Sequence, residues 1–391
     1  MSAIRFGSIG FSALLLVSAL SGTGRLPALA AAADAAPASC APATEGDTPT
    51  TKAMLSILSS IKAKDNLSAV IFNAERNGKP ILRTAIGDST PGVPATTDMH
   101  FRVGAPGWQF LSDVLLIMVD RKQISMDDPV TKWYPTYPHA EGATVGMLAT
   151  SRTGFGDYIR PESFAQAITD DPFHTWTSDE IIARSLSPYQ KPVFTKPGSN
   201  WSYSHTDFVM LGAILEKVSG KPYAELLKET ILDPLGLTQT RLQLDAKPQL
   251  PILHTLDDGS FKDTTFYNPS FVSWAALTSN VCDLAKWNVA FGTGALLSPA
   301  LKGAATAPTT VGIGGNTDKR YFGLGTLVYP PWIVQKASYW GMYTTTAYDP
   351  KTGLSLVVTA AWNPGAPPTQ PTNEIMAAMS KLLTPDNLIP E

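Results

Sequence analysis

The apolar positions change period along the chain, and the changes mark out elements. Over residues 51–64, Met54, Leu55, Leu58 and Ile61 recur at helical spacing. A β-rich run follows at 67–73, then the turn Arg76-Asn77-Gly78-Lys79, then a second run at 80–86. The Asn-Gly pair between two such runs predicts a hairpin. An extended run, 99–103, meets Gly104. Beyond it Phe110, Leu111, Val114, Leu115, Met118 and Val119 line one face of a helix, with Pro106 at the first helical position, which its fixed φ favours.

Further on, the pattern predicts a short helical turn at 144–148, a glycine-containing loop at 151–158 and a helix at 178–185. A strongly apolar helix at 208–218 ends at Gly220. Another helix, 224–232, is closed by Asp233-Pro234-Leu235-Gly236, and 240–270 reads as irregular and polar. A helix at 283–291 follows Ser279. Three β-like runs, 321–329, 343–349 and 354–361, precede a last helix at 373–383, with 349–353 turning the final two runs into a hairpin. No internal repeat is visible. Helix and two strands, a long helical middle, then strands and a helix predict an α/β (α+β) fold. Its antiparallel sheet is formed by both chain ends and flanked by helices, with a mostly helical insertion over about 105–270.

Composition narrows the class. At 391 residues and 44% apolar, the chain suits one large domain or two intimately packed subdomains. A net charge of −3 gives no electrostatic case for nucleic acid. Arg5, a short apolar core at 9–20 and the Ala28-Leu29-Ala30 site read as a signal peptide over residues 1–30. The apolar run falls short of the ~20 residues that span a bilayer, so no membrane span is expected after cleavage. Residues 31–50, rich in Ala, Pro and Thr, read as a flexible lead-in. The chain is therefore expected to be periplasmic or secreted. Export makes a Cys40–Cys282 disulfide possible; the alternative is a core Cys282 and an exposed Cys40 thiol. The five histidines are scattered and no cluster has metal-ligand spacing, so neither a metal nor a cofactor is expected.

The order of several motifs resembles the serine β-lactamase and penicillin-binding-protein family, in its class C-like branch of β-lactamases, DD-peptidases and esterases. The resemblance covers about residues 51–385. It rests on Phe101-Arg102-Val103-Gly104, on Asp127-Asp128-Pro129-Val130 with Trp133-Tyr134-Pro135, and on Tyr203-Ser204 followed by Leu211-Gly212 and Glu216–Gly220. Asp233-Pro234-Leu235-Gly236-Leu237 and Leu277-Thr278-Ser279 with Asp283-Leu284-Ala285 extend it.

The resemblance implies a Ser-x-x-Lys pair at the start of the helix after Gly104, whose side chains would share a face. Those positions hold Ala105 and Trp108. Neither can attack a carbonyl or take a serine's proton, and removing a nucleophile from a comparable hydrolase costs about 10⁶ in kcat. The family's Tyr-x-Asn reads Tyr203-Ser204-His205 here. Tyr203 and His205 could work as acid or base, or Tyr203 could simply pack with its hydroxyl hydrogen-bonded. The third motif, Lys-Thr-Gly on a strand lining the cleft, has its letters at Lys351-Thr352-Gly353, but these fall in a hairpin turn. Its counterpart is Lys336-Ala337-Ser338, which gives Lys336 either a ligand carboxylate or a solvated strand end. Ser59-Ser60-Ile61-Lys62 lies on the first helix, away from the cleft.

Trp108, Trp201, Tyr203, Tyr339, Trp340 and Tyr343 gather around these motifs. Two readings stand: a stacking cleft in which Trp108, Tyr203, Tyr339 and Trp340 bind ligand, or a cleft whose catalytic volume Trp108 fills. The functional expectation is a catalytically silent or repurposed exported binding protein for a small molecule, peptide, glycan or protein partner. The alternative is an esterase, amidase or peptidase using either a relocated nucleophile (Ser112, Ser151, Ser204 or Cys282) or non-covalent chemistry by Tyr203, His205 and Lys336. Ser204 adjoins both Tyr203 and His205, but neighbours on an extended segment face opposite ways.

Overall fold

The computed structural model describes residues 40–186, 191–256, 262–366 and 369–390, with the side chain of Tyr339 outside the description. The expected signal peptide lies outside the described residues. Twelve strands are present among them: β1 (Ala43–Thr44), β2 (Leu67–Arg76), β3 (Lys79–Thr90), β4 (Val93–Pro94), β5 (Phe101–Arg102), β6 (Arg241–Leu242), β7 (Leu277–Ser279), β8 (Tyr321–Phe322), β9 (Leu327–Tyr329), β10 (Trp332–Tyr339), β11 (Met342–Asp349) and β12 (Leu354–Trp362). The helices are α1 (Pro49–Lys64), α2 (Gly107–Asp120), α3 (Val145–Ala149), α4 (Glu162–Asp170), α5 (Ser178–Ser185), α6 (His205–Ser219), α7 (Tyr223–Leu227), α8 (Asp233–Leu235), α9 (Val281–Thr293) and α10 (Pro371–Leu383).

The main sheet is antiparallel with spatial order β1-β3-β2-β12-β11-β10-β9-β8, and β4 pairs with β3. β2 beside β12 joins the two ends of the chain, from Leu354↔Arg76 to Trp362↔Leu67. Asn77 and Gly78, both at positive φ, make the tight turn that sets the β2–β3 register. Alternation along β11 divides its side chains between two helical layers. Tyr348 lies against Gly292 of α9 on one face, and the Thr345 hydroxyl donates to Thr372 of α10 on the other, 2.8 Å away. α1 begins at a Thr48–Thr51 capping box and buries Met54, Leu58 and Ile61.

Several boundaries differ from the sequence reading, each for a local reason. The lead-in is held from Cys40 onward, because Cys40 is bonded to Cys282 and Ala43 and Thr44 pair with Arg83 and Leu82. Cys40 is therefore a buried disulfide cysteine, not an exposed thiol. The run at 321–329 is two short strands with a turn between them. β10 adds an interior strand between β11 and β9, and α4 adds a helix in the proline-rich middle. Pro106 is the N-cap of α2, not its first turn.

α2 is the central element. It is buried on every side from Gly107 to Met118, not on one face, so Gln109, Ser112 and Asp113 lie inside as well. Its entry is fixed by a small sheet, β5-β7-β6, and by the Val103 N–H, which donates to Leu277 O at 2.8 Å. A 3₁₀ segment, Pro269–Ala275, passes so close that a Cβ on Gly107 would stand 2.8 Å from Ala275 Cα.

The same segment is wedged against α6, where a Cβ on Gly212 would lie 2.2 Å from the indole of Trp274. That indole is pinned in turn, its Nε1 donating to Val209 O at 2.9 Å. Gly212→Ala is expected to destabilise the protein by about 1–3 kcal/mol through overpacking, read by urea denaturation. A change within about 0.5 kcal/mol, as at an ordinary surface site, would show that α6 and the 3₁₀ segment are not in tight register.

Candidate functional site

A cavity of about 310 Å³ lies where the N-termini of α2 and α6, the 3₁₀ segment and strand β10 converge. Gly104 (φ +64) turns the chain from β5 toward α2, bringing Ala105 and Trp108 to the cavity floor. His205 is the first residue of α6, and Tyr203 precedes its N-cap, Ser204. Lys336, Ala337 and Ser338 line the opposite wall from β10. Thus Ala105, Trp108, Tyr203, His205 and Lys336, scattered over more than two hundred positions, come together at one place. Trp340 is not among the lining residues. It sits in the β10–β11 turn, packed against Phe271 and Tyr267 at ring-centroid distances of 4.9 and 5.6 Å. Tyr343 is likewise buried elsewhere, against Trp362. The side chain of Tyr339 lies outside the described residues.

Trp108 is almost completely buried. Its indole stacks on Phe208 with ring centroids 4.8 Å apart, and its Nε1 donates to the Tyr203 hydroxyl at 2.7 Å. Burial, and then the charge of Asp157, push the Tyr203 phenol far above its ordinary pKa, outweighing the opposing hydrogen bond from Trp108. Tyr203 therefore stays protonated at neutral pH.

His205 is held by a partner that the sequence reading did not single out. Its Nδ1 is 3.0 Å from Asp157 Oδ2 and 3.2 Å from Oδ1, and its backbone N–H also reaches Oδ1 at 3.2 Å. Burial works to raise the Asp157 pKa, but the charge and hydrogen bonds of His205, with the Ile159 amide, prevail and hold it below the usual value. An ionised carboxylate only accepts, so Nδ1 is the protonated nitrogen. The loop carrying Asp157 is stapled to α6 by Thr206, whose hydroxyl donates to Gly156 O at 2.7 Å, and by Thr153, which donates to Asp207 at 2.6 Å.

Arg320 also lines the cavity, and so do Ile159, Phe271 and Val272 on its apolar side. Lys336 has its pKa lowered by burial first and by Arg320 second. Among the described residues no Asp or Glu lines the cavity. The described wall is therefore cationic, which suits an anion.

The other candidate nucleophiles are occupied or enclosed. Ser112 and Ser151 are completely buried, and Ser204 is buried with its hydroxyl 3.4 Å from Gly156 O. Cys282 is bonded to Cys40. Lys351-Thr352-Gly353 makes the β11–β12 turn, with the Thr352 hydroxyl on Asp349. Among the described residues no group of His, Cys, Asp and Glu could hold a metal ion, and no helix is long and apolar enough to cross a membrane. Asp157 and Arg320 were missed by sequence reasoning: each is far in sequence from the residue it faces, and neither belongs to a recurring pattern.

Removing the Trp108 side chain would empty the site between Phe208 and Tyr203. Trp108→Ala is expected to cost about 3–5 kcal/mol of stability, measured by chemical denaturation. A loss below about 1 kcal/mol would show that the indole is not an integral part of the core.

Comparison with known proteins agrees with the geometry. The Beta-lactamase family profile matches residues 61–379. "Penicillin-binding protein 4*" of Bacillus subtilis (strain 168) is 25% identical over 198 residues, covering 49% of this chain and 41% of that protein. "Esterase EstB" of Burkholderia gladioli is 29% identical over 175 residues, covering 41% and 44%. The match thus spans less than half the length of these two relatives. Among solved structures, a D-stereospecific amidohydrolase from Streptomyces sp. superposes with a TM-score of 0.74 at 22% identity, covering 85% of this chain and 98% of that one. With its motif positions gathered around one cavity and its sequence matched from residue 61 to 379, the chain belongs to the Beta-lactamase family.

Proposed function

We propose that this chain is an exported, non-acylating member of its family whose cavity binds a small carboxylate-bearing acyl compound reversibly, such as an N-acylated amino acid or short peptide. The observation that carries this reading is Trp108. It stands where the resemblance puts the lysine, its N–H is committed to the Tyr203 hydroxyl, and Ala105 stands at the nucleophile position, yet about 310 Å³ of cavity remains. A filled cleft would leave no such space. An acylating cleft would need an oxygen or sulfur at position 105. Export is supported by the signal-like N-terminus and by the Cys40–Cys282 disulfide, a bond that persists in oxidising compartments.

The ligand class follows from the walls. Lys336 and Arg320 supply positive charge for a carboxylate, while Ile159, Phe271 and Val272 supply an apolar seat for a side chain. Relatives with the printed names esterase and D-stereospecific amidohydrolase favour an acyl compound, and the latter a D-configured one. Covalent chemistry is not required for such binding.

Calorimetric titration with N-acetyl-D-phenylalanine tests this. Reversible binding is expected, weakened about tenfold or more by Lys336→Gln, as for loss of a charge-assisted hydrogen bond. Affinity should also fall as pH rises, and should do so below the usual lysine range near about 10.4. The sign follows from the Lys336 shift: burial and Arg320 favour loss of its proton, and the neutral amine no longer attracts a carboxylate. No binding, or equal affinity in the variant, contradicts the proposal.

A further inference from the structure

We propose that Asp157 and His205 form a general-base pair that lets this cavity hydrolyse small carboxylate-bearing esters directly with water, with no acyl-enzyme. The proposal rests on the reversible binding inferred above and adds an activity to it. Three observations carry it. His205 lines the cavity, and its Nδ1 is fixed on Asp157 at 3.0 Å. Asp157 is itself positioned by the backbone N–H of His205 and is buried behind the ring. Nε2 has no hydrogen-bond partner among the described residues, and the His205 side chain is 22% exposed. With the Nδ1 proton locked on the carboxylate, Nε2 is the nitrogen left to accept a proton from the cavity. Carboxylate orientation of imidazole produces the same tautomer in hydrolases that activate a hydroxyl. Here no hydroxyl nucleophile stands at position 105, so water is the available reactant.

The step balances without another reactant. As the water oxygen bonds to the ester carbonyl carbon, His205 Nε2 takes a water proton. Lys336 and Arg320 face the cavity as cations for the substrate carboxylate and the developing oxyanion. The tetrahedral intermediate then collapses: the bond to the leaving oxygen breaks, and that oxygen receives the proton held on Nε2. Acid and alcohol leave, and the imidazole is neutral again. General-base help is worth about 10²–10⁴-fold, far less than the roughly 10⁶-fold that a lost nucleophile costs. The substrates are therefore esters with good leaving groups, not amides. His205 touches the reacting water; Asp157 acts through His205 as a positioning residue.

The test uses the full chain with p-nitrophenyl hydrogen succinate as ester. Linear release of p-nitrophenol above the buffer rate is expected, with no initial burst. His205→Gln should lower kcat by about 10²-fold or more while leaving N-acetyl-D-phenylalanine binding in place, which also shows that the variant is folded. Added imidazole should restore turnover to His205→Gly. Asp157→Asn should lower kcat at unchanged KM and move the inflection of the pH–rate profile, a shift that a purely structural role would not produce. His174→Gln, remote from the cavity, should turn over normally. Retained binding with no turnover above buffer, full turnover in His205→Gln, or a stoichiometric burst from a covalent route through Ser338 would each overturn the proposal. Loss of N-acetyl-D-phenylalanine binding by the parent protein would overturn the binding proposal as well.

Discussion

One hydrogen bond organises the centre of this molecule: the indole N–H of Trp108 on the hydroxyl of Tyr203, 2.7 Å across the junction of α2 and α6. It joins a side chain of α2 to one just ahead of α6, ninety-five residues apart in sequence. The stack of Trp108 on Phe208 extends the contact into the core. A buried indole N–H left without an acceptor would cost about 1–3 kcal/mol, so the tyrosine holds the tryptophan in place as much as the reverse. The result is a floor of carbon where the resemblance implies a reactive pair.

Lys336 on β10, Arg320 just before β8, Phe271 and Val272 on the 3₁₀ segment and the oriented histidine at the start of α6 all face the same cavity. Burial separates their roles. It keeps Tyr203 protonated, loosens the proton on Lys336, and is overcome at Asp157 by the neighbouring imidazole. A carboxylate stands behind the histidine, and Lys336 is a partly buried cation, a placement that costs free energy unless a ligand or solvent offsets it. These features fit a fold whose scaffold serves more than one chemistry.

Much of this was legible in the amino-acid order. The Asn77-Gly78 turn, the amphipathic first helix and the apolar strands at both chain ends announced a sheet closed by the termini, because local turn chemistry and hydrophobic periodicity decide those features. The motif order placed Ala105, Trp108, Tyr203, His205 and Lys336 in one cleft. What stayed hidden depended on tertiary context. β10 follows Pro330-Pro331 and mixes Gln335, Lys336 and Ser338 into its run, so no clean alternation marked it. The full burial of α2 was hidden because helical spacing marks one apolar face and cannot show that polar Gln109, Ser112 and Asp113 are enclosed as well. Asp157 sat in an irregular loop, and only the folding of that loop against α6, forty-eight residues away, makes it the partner of His205.

The claim on which this account stands is that the cavity forms no covalent bond with an acyl compound. Intact-mass spectrometry of the chain after incubation with a fluorescent penicillin and with an activated ester measures this directly. The account predicts an unchanged mass under both treatments. An added acyl group on any residue of the cavity would contradict it.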